Sequence, residues 1–210
     1  MSDFSALLTK ALDKNHLTLS ALGRQKIVRY LELLEKWNRV FNLTHITHPA
    51  EMVYLHIIDS LVISPFLKGL RCLDVGSGAG LPGIPLAIFN PDQQWVVLDK
   101  NSKKIHFLRQ VIAELDLKNI TAVHTRVEDF HPPFSFDSIL SRAFASLSVF
   151  LNTTAHLGTS EGRWIAMKGK FPQEELDDVP AHFVVEKVIR LEITGIEIER
   201  HIVCIRITNS

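Results

Sequence analysis

A chain of 210 residues with 46% apolar side chains can build one substantial core and a small accessory element. Lysine and arginine balance aspartate and glutamate at 23 each, which excludes a long-range positive field, so nucleic-acid binding would have to use local patches. The longest apolar runs, such as Leu61 to Leu67 and Trp95 to Leu98, are broken by proline or charge well short of a membrane span.

The start of the chain sets Asp3 beside the first apolar residues and lacks the basic and apolar stretches of a secretory signal. A cytoplasmic protein is expected. From Asp3 to Leu67 the apolar positions follow a helical period. Ile27, Tyr30, Leu31, Leu34, Trp37 and Phe41 recur every three or four residues and predict an amphipathic helix. Ser20 suits its start and Asn42 to Thr44 its end, because these side chains compete for backbone hydrogen bonds. A further helix is expected from Pro49, with Glu51 against the dipole and Met52, Leu55, Ile58 and Leu61 or Val62 forming one stripe up to Pro65. Residues 1–67 therefore read as an all-helical N-terminal extension.

After Gly69 short β-type runs alternate with helical segments: Arg71 to Val75, Gln94 to Leu98, Ile120 to His124, Phe136 to Leu140 and Arg163 to Met167. That rhythm predicts βαβ units and a parallel sheet. Phe183 to Ile193 and His201 to Ile207 break it and predict an antiparallel hairpin joined by a short turn around Gly195. Residues 68–210 thus read as an α/β domain with a mostly parallel seven-stranded sheet, a layout similar to Rossmann-like class I methyltransferases. Cys72 and Cys204 lie singly in strand-like runs and are expected as buried thiols.

Leu73 to Gly83 reads LDVGSGAGLPG, directly after a predicted strand and before a helix expected near Ile84. Glycines here let backbone amides approach a ligand closely. A dinucleotide turn needs GxGxxG, but counting from Gly76 gives Gly78 and then Leu81 where the third glycine should fall. The GxGxG spacing, preceded by Asp74, resembles instead the cofactor loop of class I methyltransferases, where the amino-acid part of S-adenosylmethionine lies over the turn. The next strand ends at Asp99, where one carboxylate can accept from both ribose hydroxyls of an adenosyl group.

Further segments carry a more specific likeness: KWNRVFNLT (Lys36 to Thr44), HIIDSL (His56 to Leu61), RVEDF (Arg126 to Phe130), SRAFASL (Ser141 to Leu147) and MKG (Met167 to Gly169). Together with the loop they resemble, over nearly the whole chain, the bacterial 16S ribosomal RNA guanine-N7 methyltransferases, also called glucose-inhibited division B proteins. The resemblance implies a monomer-sized enzyme that uses S-adenosylmethionine, releases S-adenosylhomocysteine and methylates one guanine of small-subunit RNA, conventionally nucleotide 527. It further implies that Gly76, Gly78 and Leu81 meet the cofactor from the loop, with Asp99 on its ribose. Val127 and Glu128 would flank the adenine, and Arg142 would contact the cofactor near the reacting centre.

Guanine N7 holds an in-plane lone pair and is unprotonated at neutral pH, so its methylation needs no general base. Ile139 to Phe144 reads ILSRAF, unlike the PPY-type motif of enzymes that methylate exocyclic amines. Arg142 is expected to hold phosphate or O6, the alternative being a salt bridge to Asp137 or Glu128. Arg126 and Lys168, at strand ends, and the Lys100, Lys103, Lys104 and Arg109 cluster suit RNA contact and solvated charge equally. Asn38, Asn42 and Thr44, beside Trp37 and Phe41, suit RNA contact or a helix stop. His45, His48, His56 and Asp59 lack a ligand spacing, so no metal is expected and surface or capping roles are assigned to them. Trp95 and Trp164 are expected in the core. Two other readings stay open: the same fold acting on another acceptor, and a non-catalytic module binding the small subunit.

Overall fold

The computed structural model describes residues 3–208. Asp3 caps the first helix, α1 (Phe4–Lys14), by accepting from the Ala6 amide, and Ser20 caps α2 (Ala21–Phe41) by accepting from Gly23 at 3.0 Å. First-turn amides have no partner inside a helix, so such caps hold the start in place. Asn42 ends α2 in the left-handed region, a conformation asparagine tolerates better than most residues. The buried stripe of α2 contains Ile27, Tyr30, Leu31 and Leu34, as the periodicity predicts.

The next segment differs from its prediction. Pro49 opens α3 (Pro49–Met52), but Val53–Ile58 winds as a π-helical turn before α4 (Asp59–Leu61). The wider turn resets the stripe: Leu55, expected inside, is only half-buried, while His56 and Asp59, expected at the surface or in caps, are buried. Such π turns often mark functional sites.

The sheet contains β1 (Arg71–Val75), β2 (Gln94–Asp99), β3 (Ile120–His124), β4 (Phe136–Arg142), β5 (Gly158–Lys168), β6 (Phe183–Arg190) and β7 (His201–Ile207). Their order is β3-β2-β1-β4-β5-β7-β6, with β7 antiparallel to both neighbours and the other pairings parallel. The order reverses between β1 and β4, where open α/β sheets bind ligands. β5 begins five residues earlier than predicted, because Gly158 pairs with Phe136 across an irregularity. The hairpin link is longer than the short turn expected. It spans 191–200, is closed at its base by the Leu191 amide on the Arg200 carbonyl at 2.8 Å, and packs Gly195 against Tyr54.

Two apolar clusters flank the sheet. One joins the opening helices to α5 (Gly83–Phe89) and α6 (Ser102–Glu114), so those helices share a core with the βαβ units. The other packs α7 (Leu147–Thr154) onto the opposite face and holds Trp164, whose indole N–H donates to Thr154 Oγ1 at 2.9 Å. Each fully buried leucine, isoleucine or phenylalanine in these clusters contributes about 1.5–3 kcal/mol. Trp95, Cys72 and Cys204 are buried as expected, and both thiols are free. Among the described residues no helix is long and apolar enough to cross a membrane.

Candidate active site

The first candidate cavity, about 240 Å³, opens at the C-terminal ends of β1, β2 and β3. Gly76, Gly78 and Gly80 all take left-handed φ values, so the loop after β1 doubles back and is stitched to β2. The Gly76 and Ser77 amides both donate to the Leu98 carbonyl, at 2.8 and 3.1 Å, and the Ser77 hydroxyl accepts from the Leu98 amide at 3.1 Å. A Cβ on Gly76 would lie 2.7 Å from the Phe144 ring, which lines the same cavity. Only glycine leaves that space open.

Asp99 is buried at the cavity wall. Its Oδ2 accepts from the Gly78 amide at 2.9 Å and its Oδ1 from the Asn101 amide at 2.8 Å. Each oxygen has further acceptor capacity, so the carboxylate can fix the loop and still receive the hydroxyls of a ribose. Leu98, Val127 and Phe144 supply apolar wall, Glu128 stands at the margin, and Arg126, Lys100 and Lys104 line the cavity. These features fit an adenosyl group: an acceptor for a diol, an apolar slot for a base and a glycine cradle that a Cβ would fill.

Leu81 does not line this cavity. Its side chain is buried in the core cluster shared with the helices, so any contact from that position would have to come from its backbone. Gly78 faces Asp99 through its amide. Behind the loop, the fully buried Asp74 accepts from the Gly83 amide at 3.0 Å, while its other oxygen has no partner. Burial raises this carboxyl to about 7, against the lowering effect of the Gly83 bond.

A second cavity, about 420 Å³, adjoins the first, and Ala143 lines both. Ala143 follows the end of β4 with φ 53°, a conformation that L residues other than Asn and Asp rarely adopt. Arg142, just before it, lines the second cavity and not the first, where a cofactor contact was expected of it. Its Nη1 donates to the Leu55 carbonyl at 2.9 Å and to Asp59 Oδ2 at 3.3 Å. Neither partner proposed from sequence, Asp137 or Glu128, is used. Asp137 lies towards the other end of β4, where it accepts from the Leu70 and Arg71 amides, and Glu128 stands at the first cavity.

Asp59 Oδ1 accepts from Arg200 Nε at 3.1 Å, so one buried carboxylate ties the end of β4 to the last residue of the link before β7. Burial pushes the Asp59 carboxyl upward and the two guanidinium groups pull it back. His56 Nε2 lies 3.1 Å from Thr44 Oγ1, and its Nδ1 is buried without a hydrogen-bond partner. Burial, with Arg142 nearby, lowers this histidine to about 4, so it is neutral at physiological pH.

Lys168 lines the second cavity but is paired to Glu175 at 2.7 Å, with a further bond to the Ala145 carbonyl. Asn38 turns its side chain to the Thr44 amide at 2.8 Å and Asn42 ends α2, so both serve the helix stop. Lys103 and Arg109 are exposed on α6. Trp37 is half-buried against Phe41 and Phe107. Contributors outside the residues singled out from sequence include Phe144, Thr125, Ala143 and Arg200. Phe144 sits inside the SRAFASL segment, whereas nothing around Arg200 in the chain marks it.

Residues 23–203 match the family described as GidB, rRNA small subunit methyltransferase G. Curated relatives named ribosomal RNA small subunit methyltransferase G include that of Cronobacter sakazakii, 47% identical over 95% of this chain and 96% of the relative. That of Sodalis glossinidius is 49% identical over 93% and 96%. Among solved structures, an S-adenosylmethionine-dependent methyltransferase from Aquifex aeolicus aligns over 76% of this chain and 94% of its own, with TM-score 0.56 and 17% identity. TrmN from Thermus thermophilus aligns over 72% and 48% with TM-score 0.57 and 18% identity, and both show a shared fold. With the glycine loop, the strand order and near-full-length relatives agreeing, the chain belongs to the GidB family of small-subunit ribosomal RNA methyltransferases.

Proposed function

We propose that the protein binds S-adenosylmethionine in the cavity at the glycine loop and methylates N7 of one guanine of 16S ribosomal RNA, conventionally nucleotide 527. The observation that carries this reading is the pair of cavities adjoining at Ala143, one suited to an adenosyl group and the other walled by arginines. When bound, the cofactor supplies an electrophilic methyl on a sulfonium. The chain's own part is to hold the acceptor in line, an effect that can reach about 7–11 kcal/mol.

A general base is not needed, because N7 presents a lone pair. Positive charge grows on the guanine as the methyl arrives, and Asp59 offsets part of the charge that Arg142 and Arg200 bring to that side. Asp99 and the loop amides hold the other side fixed, so neither partner has to reorganise at the moment of transfer. Residues of a single chain line both cavities, which supports action as a monomer, and a ribosomal substrate supports a cytoplasmic location. Tritiated methyl transfer to 30S particles and to protein-free 16S RNA, followed by nuclease mapping, tests the reading. Label is expected on a single guanine, and label on another base or none at all overturns it.

A further inference from the structure

The second cavity carries features that methyl transfer alone does not explain. Part of its lining is apolar, supplied by Ile46, Leu55 and Met167. A volume of about 420 Å³ falls within the range of small-molecule sites. Gly169 leaves part of the wall open: a Cβ there would meet only Arg200 Nη1, at 3.9 Å. His56, in the same wall, keeps a buried ring nitrogen without a partner.

The polar rim is dominated by donors. Asp59 takes one N–H from Arg142 and one from Arg200, and this bridge holds both guanidinium groups in place. Arg142 Nη1 and Arg200 Nη1 are otherwise used on the Leu55 and Glu199 carbonyls. Among the described residues, the Nη2 group of each arginine makes no hydrogen bond. Guanidinium donors discriminate between purines: guanine offers a carbonyl acceptor at position 6, adenine an amino donor.

Resting on the proposed guanine methylation, we infer that this cavity seats the acceptor guanine, turned out of its stack, and that Arg200 is a specificity residue reading its O6. Extrusion of the base is the general route by which enzymes reach an atom hidden in stacked nucleic acid. Seated over Met167 and Gly169, the ring lies on the far side of Ala143 from the cofactor cavity, so its N7 edge can meet the methyl at the shared wall. Asp59 acts through the arginines as a positioning residue.

The test uses 30S particles reconstituted with guanine or with 2,6-diaminopurine, which replaces O6 by an amino group, at the target nucleotide. Wild type is expected to prefer guanine by about 10- to 100-fold in kcat/KM, the discrimination of a good guanidinium contact. Arg200→Met, which keeps the stem and loses the donors, should compress that preference to within about threefold, and Arg200→Lys should restore part of it. S-adenosylhomocysteine affinity by calorimetry should stay within about twofold in both. A preference retained in Arg200→Met overturns the inference, since a purely structural arginine would slow both substrates alike. Gly169→Val gives an independent check, because it fills the cavity without backbone strain: methyl transfer should fall at least about 100-fold with cofactor affinity intact, and normal transfer overturns the assignment. A wild type that leaves guanine unmodified overturns the proposed function and this inference with it, whereas guanine methylation with retained preference in Arg200→Met overturns this inference alone.

Discussion

The two cavities beside Ala143 are built by different means. Most of the first cavity, the proposed cofactor side, comes from one stretch of chain, Gly76 to Glu128, and its fixed groups are largely backbone: left-handed glycines, loop amides on the Leu98 carbonyl, and two amides on Asp99. The second cavity, the proposed acceptor side, gathers Thr44, His56, Asp59, Arg142, Lys168 and Arg200 from distant parts of the chain, and side-chain ion pairs hold it together. A backbone cradle fails where a side chain intrudes. An ion-pair scaffold fails where one charge is removed.

The largest expected effect is on the cradle. Gly76→Asp places a Cβ 2.7 Å from Phe144 and a carboxyl group in the space reserved for ligand. S-adenosylhomocysteine affinity should drop at least about 100-fold by calorimetry, an effect of about 2.8 kcal/mol. The circular dichroism spectrum should be unchanged, because the loop remains tied to β2 by backbone bonds. Wild-type affinity in this variant would show that the ligand lies elsewhere.

Next comes the scaffold. Asp59→Ala removes the shared partner of two arginines whose side chains are about one-quarter exposed, at 23% and 26%. Stripping one member from a fully buried pair costs about 3–5 kcal/mol, and partial access to water reduces that here to about 2–3 kcal/mol. The measurement is the denaturant midpoint at constant slope. Cofactor affinity should change little, since Asp59 lines only the acceptor side. Unchanged stability would mean that the bridge is not what organises that wall.

The same contrast explains how much could be read from sequence. The first cavity follows a local grammar of strand, glycine turn, helix and strand-end acid, so Gly76, Asp99, Val127 and Glu128, which the structure brings together in its lining, could be grouped from the sequence. Leu81 shows the limit even there, because spacing marks a position but not which way the side chain packs. On the acceptor side the partner of Arg142 lies 83 residues away, on a helix whose π turn shifts the apolar stripe. Nothing in a 3.6-residue period announces a π turn, so His56 and Asp59 looked like surface residues. Arg200 carries no local signal because its meaning comes from β7 running antiparallel beside β5, which brings it to Asp59.

The smallest effect in the wild type comes from two titrations that oppose each other across this divide. Asp74, behind the glycine loop, is raised from 3.8 to about 7 by burial. The folded state therefore holds a proton that the unfolded chain has lost, and stability falls as pH rises from 3.8 towards about 7. His56, on the acceptor side, is lowered from 6.5 to about 4, so the unfolded chain takes the proton first and stability rises with pH between those values. From about pH 4 to 6.5 the two slopes have opposite sign and largely offset each other. Single variants should expose them. Relative to wild type, Asp74→Asn should become progressively more stable as pH rises from 5 to 7, and His56→Gln progressively more stable as pH falls from 6.5 to 5. Chemical denaturation of the three proteins across that range reads both slopes. Parallel stability curves would mean that neither buried group changes its proton affinity on folding, and that the two sides of Ala143 differ in geometry but not in electrostatics.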